Sequence, residues 1–188
     1  WPTVGEYGHV LIDSVVPSPF NPRKDFDPAQ LEELVGLIKR DGQREVATVR
    51  ELTEKEINEE YPGARYILTS GERRWRAAKA AGKTTYEIRV KAYASRGAEM
   101  LDAYLLNENR VGLSDLENAW YVRDMAKEHG WQTQVEIASA LGRDQVWVSQ
   151  ILAVLRCSEK VQARMHPRIP KDRRFTRQIA VLFSRLET

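Results

Sequence analysis

Short β-branched runs alternate with helical apolar spacings over the first half of the chain, and helical spacing alone persists over the second. Residues 10–16 (Val10, Leu11, Ile12, Val15, Val16) predict a strand, and Pro17, Pro19 and Pro22 then break regular structure. Asp27, Pro28 and Gln30 read as N-cap, N1 and capping-box partner of a helix that places Leu31, Leu34, Val35 and Ile38 on one face and ends at Gly42. Strands are predicted over 46–50, 65–69 and 86–93, the last alternating through Ile88 and Val90. Residues 53–64 are polar and acidic, with Pro62-Gly63 as a turn, and the Ala- and Arg-rich stretch 71–81 reads as a helix stopped by Gly82. Residues 98–107 read as helix. Ser114 with Glu117, and Thr133 with Glu136, are capping boxes opening two more helices, the first running to Gly130. There is no internal repeat. The pattern predicts an α+β chain: an α/β domain over 9–94, a connecting helix over 95–112 and an all-helical domain over 113–188.

Composition narrows the function classes. The 188 residues carry 29 Lys+Arg and 27 Asp+Glu, with 42% hydrophobic and 30% charged, the balance of a soluble globular chain. No apolar run is long enough to span a bilayer and no signal-peptide pattern opens the chain, so a reducing cytoplasm and no membrane partner are expected. Cys157 alone supports neither a disulfide framework nor a cysteine zinc site. His9, His129 and His166 are too scattered for a helical zinc motif and read as surface or core histidines. The chain opens on Trp1 rather than Met, as a piece of a longer protein would. The net charge of +2 hides an asymmetry: five acids stand against Lys55 over 51–60, and eight bases against two acids over 156–177. The basic stretch, with Lys171, Arg173 and Arg174, suits a polyanion, although a basic run is also the sequence of a solvated face.

Residues 134–153 fit two short helices crossing on a tight turn. Ala138 is the small contact residue, Gly142 the turn residue, and Ile137, Leu141, Val148 and Ile151 the buried stripes, a spacing that resembles the DNA-binding helix-turn-helix. Helical hairpins that never meet DNA share this pattern, so the surface residues decide. Arg143, Gln145, Ser149 and Gln150 fall on the turn and the exposed side of the second helix, where Gln suits adenine and Arg suits guanine or phosphate. Thr133 and Gln134 stand at a helix start that suits phosphate. Trp147 either packs on the core or lies against the sugar–phosphate backbone, and packing is the favoured reading.

A second anion site is written at residues 71–76. Gly71 permits close approach of backbone, and Arg73, Arg74 and Arg76 bring three guanidiniums to the exposed start of a helix, chemistry suited to a di- or triphosphate. A charged surface helix with Glu72 paired to Arg76 has the same sequence. No Walker A motif is present.

Gly71-Glu72-Arg73-Arg74-Trp75-Arg76-Ala77-Ala78 closely resembles the arginine box of the ParB family of partition proteins. The resemblance runs from about residue 10 to residue 161 and takes in Asn21-Pro22-Arg23, Gly42-Gln43, and Asn107 and Arg110 ahead of Ser114, then the helix-turn-helix. It implies a nucleotide-binding domain related to sulfiredoxin followed by a helical DNA-binding domain. In that family CTP, usually with Mg²⁺, and a centromere-like DNA site together close a dimeric clamp. Carried over, Arg23, Gln43, Gly71, Glu72, Arg73, Arg74 and Arg76 are the nucleotide-proximal residues, with Arg74 expected exposed at the helix start. Asn107 and Arg110 match the family's Glu-Asn-x-x-Arg motif, Asn107 as the metal-side residue. The resemblance also implies double-stranded DNA, a homodimer and a partition ATPase as partners, the ATPase through segments outside these residues, and a nucleoid- or plasmid-associated location.

Two positions depart from the family. Leu106 replaces the glutamate tied to metal and hydrolysis, so any CTP turnover is expected to be slow or absent. Val46 replaces an expected proline, and Glu45 stands where chromosomal members often have glutamine, in the segment that helps hold the base. Both departures point to a plasmid, phage or mobile-element branch. Three functions compete: a CTP-switched partition clamp, a repressor of the same architecture with weak or no nucleotide use, and a sulfiredoxin-like reductase or nuclease. The box has no cysteine for the reductase, and Glu72 is the one nearby acid for the nuclease.

Overall fold

Five strands form one mixed sheet in the order β1-β5-β3-β4-β2, where β1 is Tyr7–Leu11, β2 Val15–Val16, β3 Ala47–Glu51, β4 Tyr66–Ser70 and β5 Thr85–Val90. The computed structural model describes residues 1–21, 26–108, 113–170 and 172–186, with the side chains of 107, 108 and 186 outside the description. β1 runs antiparallel to β5, β5 parallel to β3, β3 antiparallel to β4 and β4 parallel to β2. The β3–β4 register shifts between Thr48 and Val49. The one strand expected over 10–16 is two: a 3₁₀ turn over Ile12–Ser14 separates β1 from β2. There the Ser14 hydroxyl donates to the Leu11 carbonyl at 2.6 Å, a local bond that competes with the sheet ladder.

Helices α1 (Pro28–Asp41) and α3 (Glu72–Ala80) pack together beside the sheet. Asp27 caps α1 by accepting from the Ala29 N–H at 3.0 Å, but Gln30 bonds the Asp27 side chain rather than its backbone, so the expected reciprocal box is not formed. Val49, Tyr66, Ala77, Ala78 and Ile88 form the centre of the core, each at most 1% exposed. Trp75 closes it while donating its indole N–H to the Ile12 carbonyl at 3.2 Å. A short helix, α2 (Glu54–Glu59), stands where no helix was expected. Thr53 and Glu56 cap it reciprocally, and Arg50 holds Glu56 at 2.6 Å.

The described residues from Arg96 onward are helical and form a separate compact unit. Its helices are α4 (Arg96–Glu108), α5 (Asp115–His129), α6 (Gln134–Leu141), α7 (Gln145–Ala153), α8 (Glu159–Met165) and α9 (Arg177–Leu186). α4 belongs to this unit and packs on α5. Tyr104 stacks on Tyr121 at 5.7 Å, and the Tyr121 hydroxyl donates to the Met100 carbonyl at 2.7 Å. The capping boxes at Ser114/Glu117 and Thr133/Glu136 are both formed. Gly142 ends α6 at φ 61°, ψ 31°, a conformation only glycine adopts without strain, and three residues separate α6 from α7. Ile137, Leu141, Val148, Ile151 and Val154 lock the pair, the last three fully buried.

Candidate functional site

The first cluster is built where β4 turns into α3. Gly71 caps the helix at φ 99°, ψ 16°. The left-handed backbone favours glycine there, and a Cβ would add tight contacts, 3.1 Å from the Ala47 Cβ and 3.3 Å from an Arg74 Nη. The three guanidiniums that follow each have an internal partner. Arg73 donates to the Gln30 amide oxygen at 3.2 Å. Arg76 binds the Glu72 carboxylate at 2.6 Å and lies 4.6 Å from the Phe26 ring centre. Arg74 pairs with Glu45, which the loop before β3 places opposite the start of α3.

The Arg74 side chain is only 19% exposed, against 43% for Arg76, and is not the exposed arginine expected from its place at a helix start. Its fixed end is the guanidinium, and its adjustable end is Glu45, whose side chain is 55% exposed. Below it, burial raises the Tyr86 phenol to a pKa of about 12 against the opposing charge of Arg74, so the phenol stays neutral and donates to the Gly71 carbonyl at 3.4 Å. Glu72 is buried and receives both Arg76 and the Asn21 amide, the latter at 2.5 Å, so it anchors the loop and helix and is not turned toward a ligand. Gln43 is similarly committed: its amide donates to the Glu87 and Glu45 carbonyls at 2.7 and 3.0 Å and accepts from the Glu87 N–H at 2.8 Å. Arg23 and Arg110 lie outside the described residues. Asn107 lies in α4, with its side chain outside the description.

The chemistry of this cluster is anion exchange. Phosphate oxygens presented at the start of α3 would meet N–H groups, the positive end of the helix and guanidiniums whose present partners are an exposed carboxylate and a neutral amide. Among the described residues no three His, Cys, Asp or Glu side chains gather into a cage for a metal ion.

The second cluster lies on α6, α7 and α9. Gln145 is exposed at the first position of α7 and Arg143 is exposed on the turn before it. Ser149 and Gln150 are half-buried and line a groove of about 610 Å³ with Val146, walled opposite by Val181, Ser184 and Arg185 of α9. The Thr133 hydroxyl is taken up in capping α6 and accepts from the Glu136 N–H at 3.2 Å; Gln134 begins that helix. Trp147 is half-buried, its N–H held by the Asp144 carboxylate at 2.6 Å. Of the tail bases, Lys171 lies outside the described residues and Arg173 is exposed at 78%. Arg174, expected to face an external polyanion, instead donates to the Pro167 and Ile169 carbonyls at 2.5 to 3.1 Å and braces its own loop.

Several contacts in these clusters escape sequence reasoning. Tyr86 carries no motif, the roles of Gln30 and Phe26 as partners of Arg73 and Arg76 are not written in their local patterns, and Arg177 is brought to Trp147 only by the packing of α9 on α7.

Residues 3–109 match the ParB N-terminal domain family. A probable chromosome-partitioning protein ParB of Vibrio cholerae is 31% identical over 158 residues, covering 84% of this chain and 50% of the relative. The Chlamydia pneumoniae counterpart is 33% identical over 156 residues, covering 81% and 51%. The chain thus spans about half the length of these curated relatives. Among solved structures, the C-terminally truncated ParB of Caulobacter crescentus complexed to the centromeric parS site superposes with a TM-score of 0.57 at 25% identity, covering 84% of this chain and 76% of that one.

Proposed function

The chain belongs to the ParB family, and from that premise we propose that it is a sequence-specific DNA-binding protein of DNA partition whose arginine box is switched by CTP. The observation that carries the reading is the start of α3, where left-handed Gly71 brings Arg73, Arg74 and Arg76 to one helix N-terminus. Arg74 takes the triphosphate in exchange for Glu45, Arg73 leaves Gln30 for a second phosphate oxygen, and Gln43 and Glu72 hold the walls. A Mg²⁺ ion bound with the triphosphate would neutralise phosphate charge, with Asn107 as the chain's own residue on the metal side. Leu106, a hydrocarbon side chain 45% exposed on α4, offers no oxygen to a metal or to attacking water, so the nucleotide is bound far better than it is hydrolysed.

In the second unit α6 and α7 act as a helix-turn-helix. Gln145 and Gln150 read base edges and Arg143 reaches phosphate or guanine. Likeness to a chain whose structure holds its centromeric site supports this reading. The proposal includes a homodimer closing on DNA, a partition ATPase as partner and a location on the nucleoid or a plasmid; no described helix is long and apolar enough to cross a membrane. A second reading, a repressor with weak nucleotide use, draws on the Glu45–Arg74 pair, which sets an internal anion against any triphosphate.

Selection of a duplex from a random pool, followed by competition against unselected DNA, tests the DNA function. Gln145→Ala and Gln150→Ala are each expected to cost about 1–3 kcal/mol of discrimination. Full discrimination by the double variant would remove those residues from the reading surface.

A further inference from the structure

Two guanidiniums converge on one indole ring. The Arg143 carbon lies 5.3 Å from the Trp147 ring centre and the Arg177 carbon 5.8 Å from it. The two arginines come from the turn before α7 and from the first position of α9, so only the tertiary fold joins them. The fold fixes both approaches. The Asp144 carboxylate pins the first turn of α7 through the Trp147 N–H at 2.6 Å, and the Asp115 carboxylate of α5 pins the start of α9 through the Arg177 N–H at 2.9 Å. Each carboxylate accepts from a backbone N–H through one of its oxygens. Among the described residues Arg177 makes no ion pair within 4.0 Å, and its Nε is buried without a hydrogen-bond partner. Its guanidinium thus lies within cation–π range of the ring and on no acid among the described residues.

We propose that Trp147 is a platform that orders Arg143 and Arg177 as a two-guanidinium clasp for the phosphate backbone of DNA, and that Arg177 of α9 belongs to the DNA site. The inference rests on the DNA-binding reading of α6 and α7. A guanidinium stacked on an aromatic face keeps its N–H edge in the plane, the edge that pairs with phosphate oxygens bidentately. Fixing the plane in advance removes rotamer freedom that a free surface arginine loses on binding. Two like charges drawn to one ring raise the local potential, and a phosphate diester relieves it. The clasp stands beside Gln145, so it sets the register from which that residue meets base edges. Trp147 is a positioning residue, and the two arginines are the contacts.

The test is binding of a short random-sequence duplex, followed by fluorescence anisotropy across a salt series, for the unmutated chain, Arg177→Gln, Trp147→Leu, Trp147→Phe and Arg123→Gln. Arg123 is an exposed arginine paired with Asp124 on α5 and serves as the control. Loss of one phosphate contact lowers the slope of log K against log salt by about 0.9, roughly an eightfold weaker association at 0.1 M salt. Arg177→Gln is expected to show that change, Trp147→Leu at least as large a one, and Trp147→Phe a slope restored toward the unmutated value. Arg123→Gln is expected to leave the slope unchanged. An Arg177→Gln slope equal to that of the unmutated chain overturns the clasp, even if Trp147→Leu fails to fold. An unmutated chain that binds no duplex at any salt overturns the DNA reading itself, and the clasp with it.

Discussion

Arginines gather at two places in this molecule and are held there by opposite means. At the start of α3 each guanidinium has a partner of its own chain: Arg74 has Glu45, Arg76 has Glu72 and Arg73 has Gln30. Beside α7, Arg143 and Arg177 rest on the face of Trp147. In the first arrangement two of the three guanidiniums are ion-paired, so an incoming anion that engages Arg74 must displace the Glu45 carboxylate, whereas Arg73 has only an amide to give up. In the second, both guanidiniums lie within cation–π range of one indole ring, and Arg177 makes no ion pair among the described residues. An ion-paired box suits a ligand whose binding is a switch, because exchange of partners moves a loop. A ring-held pair suits a ligand met anywhere along a polymer, because the ring does not compete for the hydrogen-bonding edge of a guanidinium.

The comparison breaks most readily with acid. Glu56 is held at a pKa of about 2, chiefly by hydrogen bonding to Arg50, against its ordinary 4.5. A carboxylate whose folded pKa is depressed contributes stability that is complete above the unfolded pKa and is lost as pH falls through the folded value. The α/β unit should therefore lose on the order of 2–3 kcal/mol between about pH 5 and pH 2, and Glu56→Gln should lose that amount at neutral pH and melt with a flatter pH dependence. The cation–π contact itself involves no ionised acid, so the Arg143–Trp147–Arg177 arrangement has no counterpart to the Glu56–Arg50 dependence. Thermal melts against pH with separate probes in the two units check this.

Gly71→Ala comes next in size. The methyl would be forced into a left-handed backbone and against Ala47 and Arg74, at a cost of about 1–3 kcal/mol, with loss of any anion site at α3. A variant as stable as the parent would show that the close approach at this turn is not required. Glu45→Gln sharpens the contrast more gently. Removing the resident anion while keeping its size should tighten triphosphate binding about tenfold, or about 1.4 kcal/mol, with little effect on DNA affinity. Equilibrium dialysis with labelled CTP measures the first quantity. An affinity unchanged by Glu45→Gln would mean that the pair does not oppose the ligand. Leu106→Glu should leave nucleotide affinity nearly as it is and act on turnover: phosphate release with CTP and selected DNA should rise above that of the unmutated chain, and equal rates would remove this position from the hydrolysis account.

What was legible in the sequence was mostly local. Ser114 with Glu117 and Thr133 with Glu136 meet across three residues, so their spacing alone places the starts of α5 and α6. Gly71 and Gly142 mark positions whose backbone excludes other residues, and both stand where the pattern puts them. α2 was missed because Ile57 is its one strongly apolar residue; the Thr53–Glu56 box and Arg50 hold it instead of a buried stripe. The break between β1 and β2 was missed because a β-branched run gives no sign of a Ser14 hydroxyl bonding backward. The partners of the box were hidden for a different reason. Glu45 and Arg74 are 29 residues apart, and Gln30 and Arg73 are 43 apart. They meet only because β3 lies beside β4 and α1 packs on α3, which no local pattern encodes.

Isothermal titration of CTP, against ATP, GTP and UTP, into the chain with its selected DNA tests the central claim most directly. Exchange of Glu45 for triphosphate predicts saturable CTP uptake by the unmutated chain, tighter uptake by Glu45→Gln and none by Arg74→Ala with its fold retained. Absence of CTP uptake in both the unmutated chain and Glu45→Gln would contradict the account and leave the arginine box as a self-paired structural element.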